Sequence, residues 1–328
     1  MTDRTFNRRQ LLAATAATGV ALTACQSVAA TEGSGSLKGK SVLITGCSSG
    51  FGYLGALHYA GLGAKVFATM RNLPRAEADS LKAEAGEGDV TVLELDVLSD
   101  DSVSKAVAEA EKLNGGALDV VINNAGIGTG APVELQDMEA MQLLFDTNVM
   151  GPQRVARAAL PAMRAKKSGL IMNVSSQLGR VMVPGMGLYS STKFALESMS
   201  EQMAYELVPH GIEVTIVQPG GFPTKIWANG NKLTAPMLER ASDARKAAYP
   251  ELVAGALRDG GGSTDPIDVP RAMAEVIAMA PGQRPLRLPV HPGRKPQTAI
   301  NEVSAQTQIA MLGNSPFGPW IKDVHNVS

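Results

Sequence analysis

Aromatic residues make up only 4% of this 328-residue chain, cysteines number two, and the formal net charge is −1. Each scarcity excludes something. A near-neutral chain has no basic field to match a phosphate backbone, and so few aromatics leave no base-stacking surface, so nucleic acid is not an expected partner. Two thiols, Cys25 and Cys47, cannot build a disulfide framework. The four histidines (His58, His210, His291 and His325) are scattered and have no His-Glu-x-x-His or Cys-x-x-Cys company, so no metal site is expected. What is present is ordinary globular material, 45% hydrophobic and 19% charged, long enough for one large domain or two.

The N-terminus reads differently from the rest. Arg4, Arg8 and Arg9 precede Leu11–Ala24, an uncharged run of 14 residues. That run is too short and too mild to span a bilayer, yet it suits the apolar part of a signal peptide. It lacks the polar face of an amphipathic helix. Asn7-Arg8-Arg9-Gln10-Leu11-Leu12 resembles a twin-arginine export motif, and Leu22-Thr23-Ala24-Cys25 resembles a bacterial lipobox. Residues 1–24 are therefore expected to be a signal peptide, Cys25 a lipidation site, and 25–39 a Gly/Ser-rich tether. The expected location is outside the cytoplasm, periplasmic or anchored to a membrane by the Cys25 lipid. If the leader is unused, the location is cytoplasmic.

From Ser41 onward short apolar runs alternate with helical stretches. Strand candidates are 41–45, 64–70, 89–97, 118–123, 169–176, 212–218 and 284–290. Helical patterns lie between them at 51–61, 75–85, 99–113, 136–166 and 188–208. Strands that are apolar throughout, separated by helices, predict a parallel sheet covered on both faces. Seven of them fit a single doubly wound, Rossmann-type α/β domain over 40–290. Residues 222–265 break the alternation directly after a strand end. They read as a surface insertion or as a substrate lid, and ligand binding beyond strand ends favours the lid. Residues 291–328 form a C-terminal extension whose role the sequence does not reveal.

Thr45-Gly-Cys-Ser-Ser-Gly-Phe-Gly52 sits between a buried strand and a helix. Gly46 can turn without a Cβ clash, while Gly50 and Gly52 admit a phosphate to the backbone amides at a helix N-terminus. The second strand ends in Met70-Arg71. An acid there would hold a ribose hydroxyl, whereas a guanidinium suits a 2′-phosphate, which favours NADP over NAD unless Arg71 merely faces solvent. Further on, Tyr189 and Lys193 are i and i+4 on one helix face. An ammonium beside the phenol is expected to lower its pKa toward working pH, fitting it for proton exchange with a carbonyl or alcohol oxygen. Ser176, 13 residues earlier at a strand end, could bind that same oxygen.

With these motifs in order the chain resembles the short-chain dehydrogenase/reductases, in their compact single-domain branch, from about Lys40 to Val290. The matching stretches are TGCSSGFG, Asp96-Val97, NNAG at 123–126, TNV around Asn148, VSS ending at Ser176, YSSTK at 189–193 and PGGFPT at 219–224. The resemblance implies that Gly46, Ser48, Ser49, Gly50, Phe51 and Gly52 cradle the dinucleotide, and that Asp96 and Val97 border the adenine. It implies that Asn124, Ala125 and Gly126 line the adenosine side. Asn148 would distort its helix and hold a water in a relay to Lys193, which would also hold the nicotinamide ribose. Pro219, Gly220, Phe222 and Thr224 would contact the carboxamide and pyrophosphate, and Ser176 and Tyr189 the substrate.

The function this implies is hydride transfer between NADP(H) and a small alcohol or carbonyl, with Tyr189 as general acid/base. Met182, Met186, Phe222, Ile226, Trp227 and Met237 lie in segments expected around an apolar substrate pocket, or else they pack the lid. Two other functions stay open on the same fold: a catalytically silent dinucleotide-binding sensor, and an epimerase or dehydratase. The family also implies a homo-oligomer, built through the helices after Pro132 and Tyr189. A twin-arginine leader suits this body, because such signals are associated with folded cargo and NADP is hard to find outside the cytoplasm.

Overall fold

The computed structural model describes residues 35–257 and 260–327. The leader and Cys25 lie outside the described residues. The elements run β1 (Ser41–Ile44), α1 (Gly50–Gly61), β2 (Lys65–Met70), α2 (Ala76–Ala85), β3 (Val90–Glu94), α3 (Asp100–Asn114) and β4 (Val120–Asn123). Then come α4 (Met138–Phe145), a π turn (Asp146–Met150), α5 (Gly151–Lys166), β5 (Gly169–Val174), α6 (Gly187–Leu207) and β6 (Ile212–Pro219). Three helices follow, α7 (Ile226–Arg240), α8 (Asp243–Ala247) and α9 (Pro250–Gly255), before α10 (Asp268–Ala278), β7 (Arg287–Val290), α11 (Gln297–Leu312) and α12 (Gly318–Val324).

The seven strands form one parallel sheet in the order β3-β2-β1-β4-β5-β6-β7. Side chains alternate across it. In β1, Val42 and Ile44 pack on one face and Leu43 on the other; in β4, Val120 and Ile122 oppose Val121. On the first face α1 brings Ala56 and Tyr59, and α10 brings Val269, Met273 and Ile277. On the second, α3 brings Val103 and Val107, α5 brings Val155, Ala159 and Met163, and α6 brings Ala204 and Leu207. Burial on both faces is why these strands read as unbroken apolar runs. The chain reverses its winding between β1 and β4, the place where such sheets open a crevice at their carboxyl ends.

Several element boundaries differ from the sequence expectation; β4 starts at Val120 instead of 118, and β5 ends at Val174 instead of 176. The strand anticipated over 89–97 stops at Glu94, because its partner β2 ends opposite, at Met70. The strand anticipated over 284–290 begins only at Arg287. The helix anticipated over 136–166 is interrupted: Gly151 donates its N–H to the carbonyl of Asp146, five residues back, and the chain winds as a π turn. Pro152 explains part of this. It has no N–H to give to the carbonyl of Asn148, four residues before it. Among the described residues, 222–265 contain α7, α8 and α9 and no strand.

Candidate active site

The glycine turn leaves β1 at Thr45 and enters α1 through Ser49. Gly46 has φ +76°, and a Cβ on it would stand 2.9 Å from the Ala125 Cα, so the turn presses directly on the segment after β4. A Cβ on Gly52 would meet the Gly46 carbonyl oxygen at 2.5 Å. The Thr45 hydroxyl accepts from the backbone N–H groups of both Asn124 and Ala125 at 3.0 Å. Asn124 Nδ2 in turn donates to the Thr45 carbonyl at 2.8 Å. Thr45 was not singled out in the sequence; its place immediately before the first glycine was the available signal. No side chain caps the N-terminus of α1 and its first turn holds no acid. These uncapped amides, on a backbone without Cβ bulk, fit the pyrophosphate of a dinucleotide.

The segment after β6 folds over this turn. A Cβ on Gly50 would lie 3.4 Å from Thr224 Cβ. The Phe51 and Phe222 rings meet edge-on at 5.5 Å, and Phe222 also packs on His291 at 5.6 Å. Pro219 closes β6, and Gly220 admits no side chain because His291 fills the space. Ser48 and Ser49 lie between these groups on the turn. On the other side, Arg71 stands exposed just beyond β2, its carbonyl accepting from Arg75 Nη1. Asp96 and Val97 follow β3. The Asp96 carboxylate accepts from Leu98 N–H, and Val97 is buried against Gly151.

The chemistry-bearing groups converge beside the ends of β4 and β5. Asn148, in the π turn, is fully engaged: its Oδ1 accepts from Ile127 N–H at 2.9 Å, and its Nδ2 donates to the Ile127 carbonyl and to Thr192 Oγ1. A Cβ on Gly126 would touch Asn148 Oδ1 at 3.3 Å and Lys193 Nζ at 3.7 Å, so Gly126 brings these two together. Lys193 Nζ donates to the Val174 carbonyl at 2.9 Å and lies 5.6 Å from the Tyr189 ring centre. Ser176 follows β5, its hydroxyl accepting from Leu178 N–H and lying near enough to the Tyr189 phenol to oppose its rise. Asn148, Tyr189 and Lys193 lie on helical turns and Gly50, Phe51 and Gly52 open α1; the other anticipated site residues in the described region lie on the segments that leave the carboxyl ends of strands.

The electrostatics correct one expectation. Burial pushes the Tyr189 phenol up to about 12, opposed by the Ser176 hydroxyl. Burial likewise drives the Lys193 ammonium down to about 8, opposed by the Glu197 carboxylate. Desolvation, rather than the neighbouring cation, sets the phenol. Among the residues anticipated for an apolar pocket, Met237 is buried with Leu144 and Leu188, whereas Met182 is exposed. The sequence reading also passed over a cluster one helical turn from Lys193. There Glu197 meets Arg180, Gln218 and Arg287. Its signal was a run at i+4 spacing along α6: Tyr189, Lys193, Glu197, Glu201, Tyr205.

Comparison with known proteins follows the same lines. A family model described as short chain dehydrogenase matches residues 40–234. Retinol dehydrogenase 8 of Homo sapiens is 40% identical over 192 residues, 57% of this chain; the match spans 60% of that protein, less than two thirds of its length. The mitochondrial D-beta-hydroxybutyrate dehydrogenase of Mus musculus is 33% identical over 263 residues, 74% of each chain. Among solved structures, a short-chain dehydrogenase from Streptomyces avermitilis superposes with a TM-score of 0.64 at 29% identity, covering 83% of this chain and 96% of that one.

Proposed function

The chain belongs to the short-chain dehydrogenase/reductase family, and from that premise we propose that it interconverts an alcohol and a carbonyl with NADP(H) as redox partner. The observation that carries this reading is the meeting of Tyr189, Ser176 and Lys193 beside the uncapped glycine turn. The dinucleotide, when bound, supplies or accepts the hydride. The residues do the rest. Ser176 orients the substrate oxygen by hydrogen bonding. Tyr189, held protonated by burial, gives its proton to that oxygen in the reducing direction. Lys193 holds positive charge near the phenol, and Asn148 fixes the backbone at Ile127 beside it. Gly46–Gly52, Asn124–Gly126 and Pro219–Thr224 form the cradle, and Arg71, exposed just beyond β2, would meet a 2′-phosphate.

The substrate is a small apolar carbonyl or alcohol. Met182 and Val183, on the loop between Ser176 and Tyr189, expose apolar surface, and a retinol dehydrogenase is among the relatives. Two further proposals concern the whole protein. The leader carries the chain out of the cytoplasm, with Cys25 lipidated and 25–39 as the tether. The enzyme assembles as a homo-oligomer through α4, α5 and α6; Met138 at the start of α4, Val133 just before it and Met150 in the π turn are exposed.

The test is absorbance of reduced dinucleotide in the presence of a panel of apolar ketones and aldehydes. Tyr189→Phe should lose about 10²–10⁴-fold in turnover, the range of general acid catalysis, with dinucleotide affinity unchanged. Retained turnover in that variant, or conversion of a sugar nucleotide with no net oxidation, overturns the assignment.

A further inference from the structure

The helix α11 lies beyond the stretch matched by the family model. One of its side chains bonds two of the segments that carry the candidate site, and through one of them reaches a third, α6. Arg180 Nε donates to Asn301 Oδ1 at 3.0 Å. Asn301 Nδ2 donates to Gln218 Oε1 at 2.7 Å, and Gln218 Nε2 donates to Glu197 Oε1 at 2.8 Å. Each partner sits next to a functional position. Arg180 follows the 3₁₀ turn Gln177–Gly179 that begins at Ser176. Glu197 stands one helical turn from Lys193. Gln218 immediately precedes Pro219 and the segment over the glycine turn. A second side chain of α11, the fully buried Gln297, donates to the Gln218 carbonyl at 3.2 Å.

The turn after Ser176 has little slack. A Cβ on Gly179 would stand 2.7 Å from Ser175 Oγ and 2.9 Å from Glu197 Cγ. Arg180 is its outer anchor and is itself short of acceptors. Its contact with Glu197 is long, 3.7 Å, and its Nη2 is buried with no hydrogen-bond partner among the described residues. Glu197 is shared with Arg287, whose Nε donates to it at 2.9 Å. The amide of Asn301 is therefore the close acceptor for Arg180 that the family core does not provide. Removing it leaves a half-buried guanidinium underpaired, at a cost the turn can relieve only by moving.

We propose that Asn301 is a positioning residue: through Arg180 and Gln218 it holds the turn that presents Ser176, so that the C-terminal extension completes the catalytic site from outside. This rests on the role of Ser176 proposed above. A displacement of Ser176 by about 1 Å is enough to cost roughly 10²-fold in rate.

The test compares wild-type, Asn301→Ala, Asn301→Asp and, as control, Val303→Ala on the exposed face of the same helix. Full-length proteins are assayed for carbonyl reduction, for dinucleotide Kd and for amide hydrogen exchange. Asn301→Ala should lower kcat about 10-fold or more while Kd stays within about twofold. Exchange of amides 176–182 should accelerate and that of α3 should not. Asn301→Asp keeps the acceptor for Arg180 but gives up the donor to Gln218 Oε1, so it should retain most of the protection at 176–182 and the rate that depends on that turn; it carries the test if the alanine variant does not fold. Unchanged kcat in Asn301→Ala, or a rate loss in Asn301→Asp with full protection of 176–182, overturns the proposal. So does the same loss in Val303→Ala. A wild-type protein that reduces no carbonyl overturns the proposed function instead, and hydrogen exchange then decides the clamp by itself.

Discussion

Lys193 is the residue whose chemistry burial alters most usefully. Its ammonium is held down to about 8 by desolvation, with Glu197 opposing. Above that pH the cation is lost, so kcat/KM for reduction should fall as pH rises through about 8. Replacing Glu197 by Gln removes the charge that favours the ammonium, and the fall should move to lower pH. A profile flat up to the ordinary lysine range would contradict both statements. For stability the sign is reversed. The unfolded lysine binds its proton to higher pH than the folded one, so burying Lys193 is costly below pH 8 and the cost fades as pH rises from there. At the second residue of interest, Arg71→Asp should weaken NADP binding by roughly 10–100-fold and spare NAD, as loss of a charge-assisted contact worth about 1.5–3 kcal/mol requires. Fluorescence titration with each dinucleotide checks this, and equal losses for both would remove Arg71 from the site. The pairing of Tyr189 with Lys193 was legible from spacing. The direction of the phenol's shift was not, because burial depends on what packs over a helix and not on the helix itself.

At the scale of elements, the glycine turn and the π turn respond to sequence differently. Gly46 sits at φ +76° with the Ala125 backbone 2.9 Å from where a Cβ would be. Gly46→Ala should therefore cost about 1–3 kcal/mol, seen as a lower urea midpoint, and weaken dinucleotide binding with it. The glycine spacing announced this turn. The Thr45 hydroxyl that ties it to Asn124 and Ala125 was silent, since a threonine before a glycine has many other uses. The π turn was half-legible. Apolar spacing runs through 136–166 without a break, so periodicity predicts one helix. The resemblance implied a distortion at Asn148, and Pro152 supplied a local cause. Edge boundaries such as Glu94 were not legible, because a strand ends where its partner does.

For the whole molecule, the proposed export leader carries its own test. Changing Arg8 and Arg9 together to Lys should retain the protein in the cytoplasm, and mass spectrometry of the native mature chain should find a lipid on Cys25. Normal export of the double variant would point to a general secretory signal instead. By itself the sequence determined the doubly wound sheet, because strands buried on both faces must be apolar at every position and helices between them must be long enough to cross back. It also determined which residues could form a cradle and a proton-exchanging pair, since glycine placement and i+4 spacing are local properties. Only the tertiary structure decided what surrounds them. The descent of Lys193, the rise of Tyr189, and the convergence of Arg180, Glu197, Gln218 and Asn301 all arise from chain segments far apart in number that packing brings within a few ångströms. Burial and long-range hydrogen bonds are properties of the assembled sheet and its tail, and no local pattern encodes them.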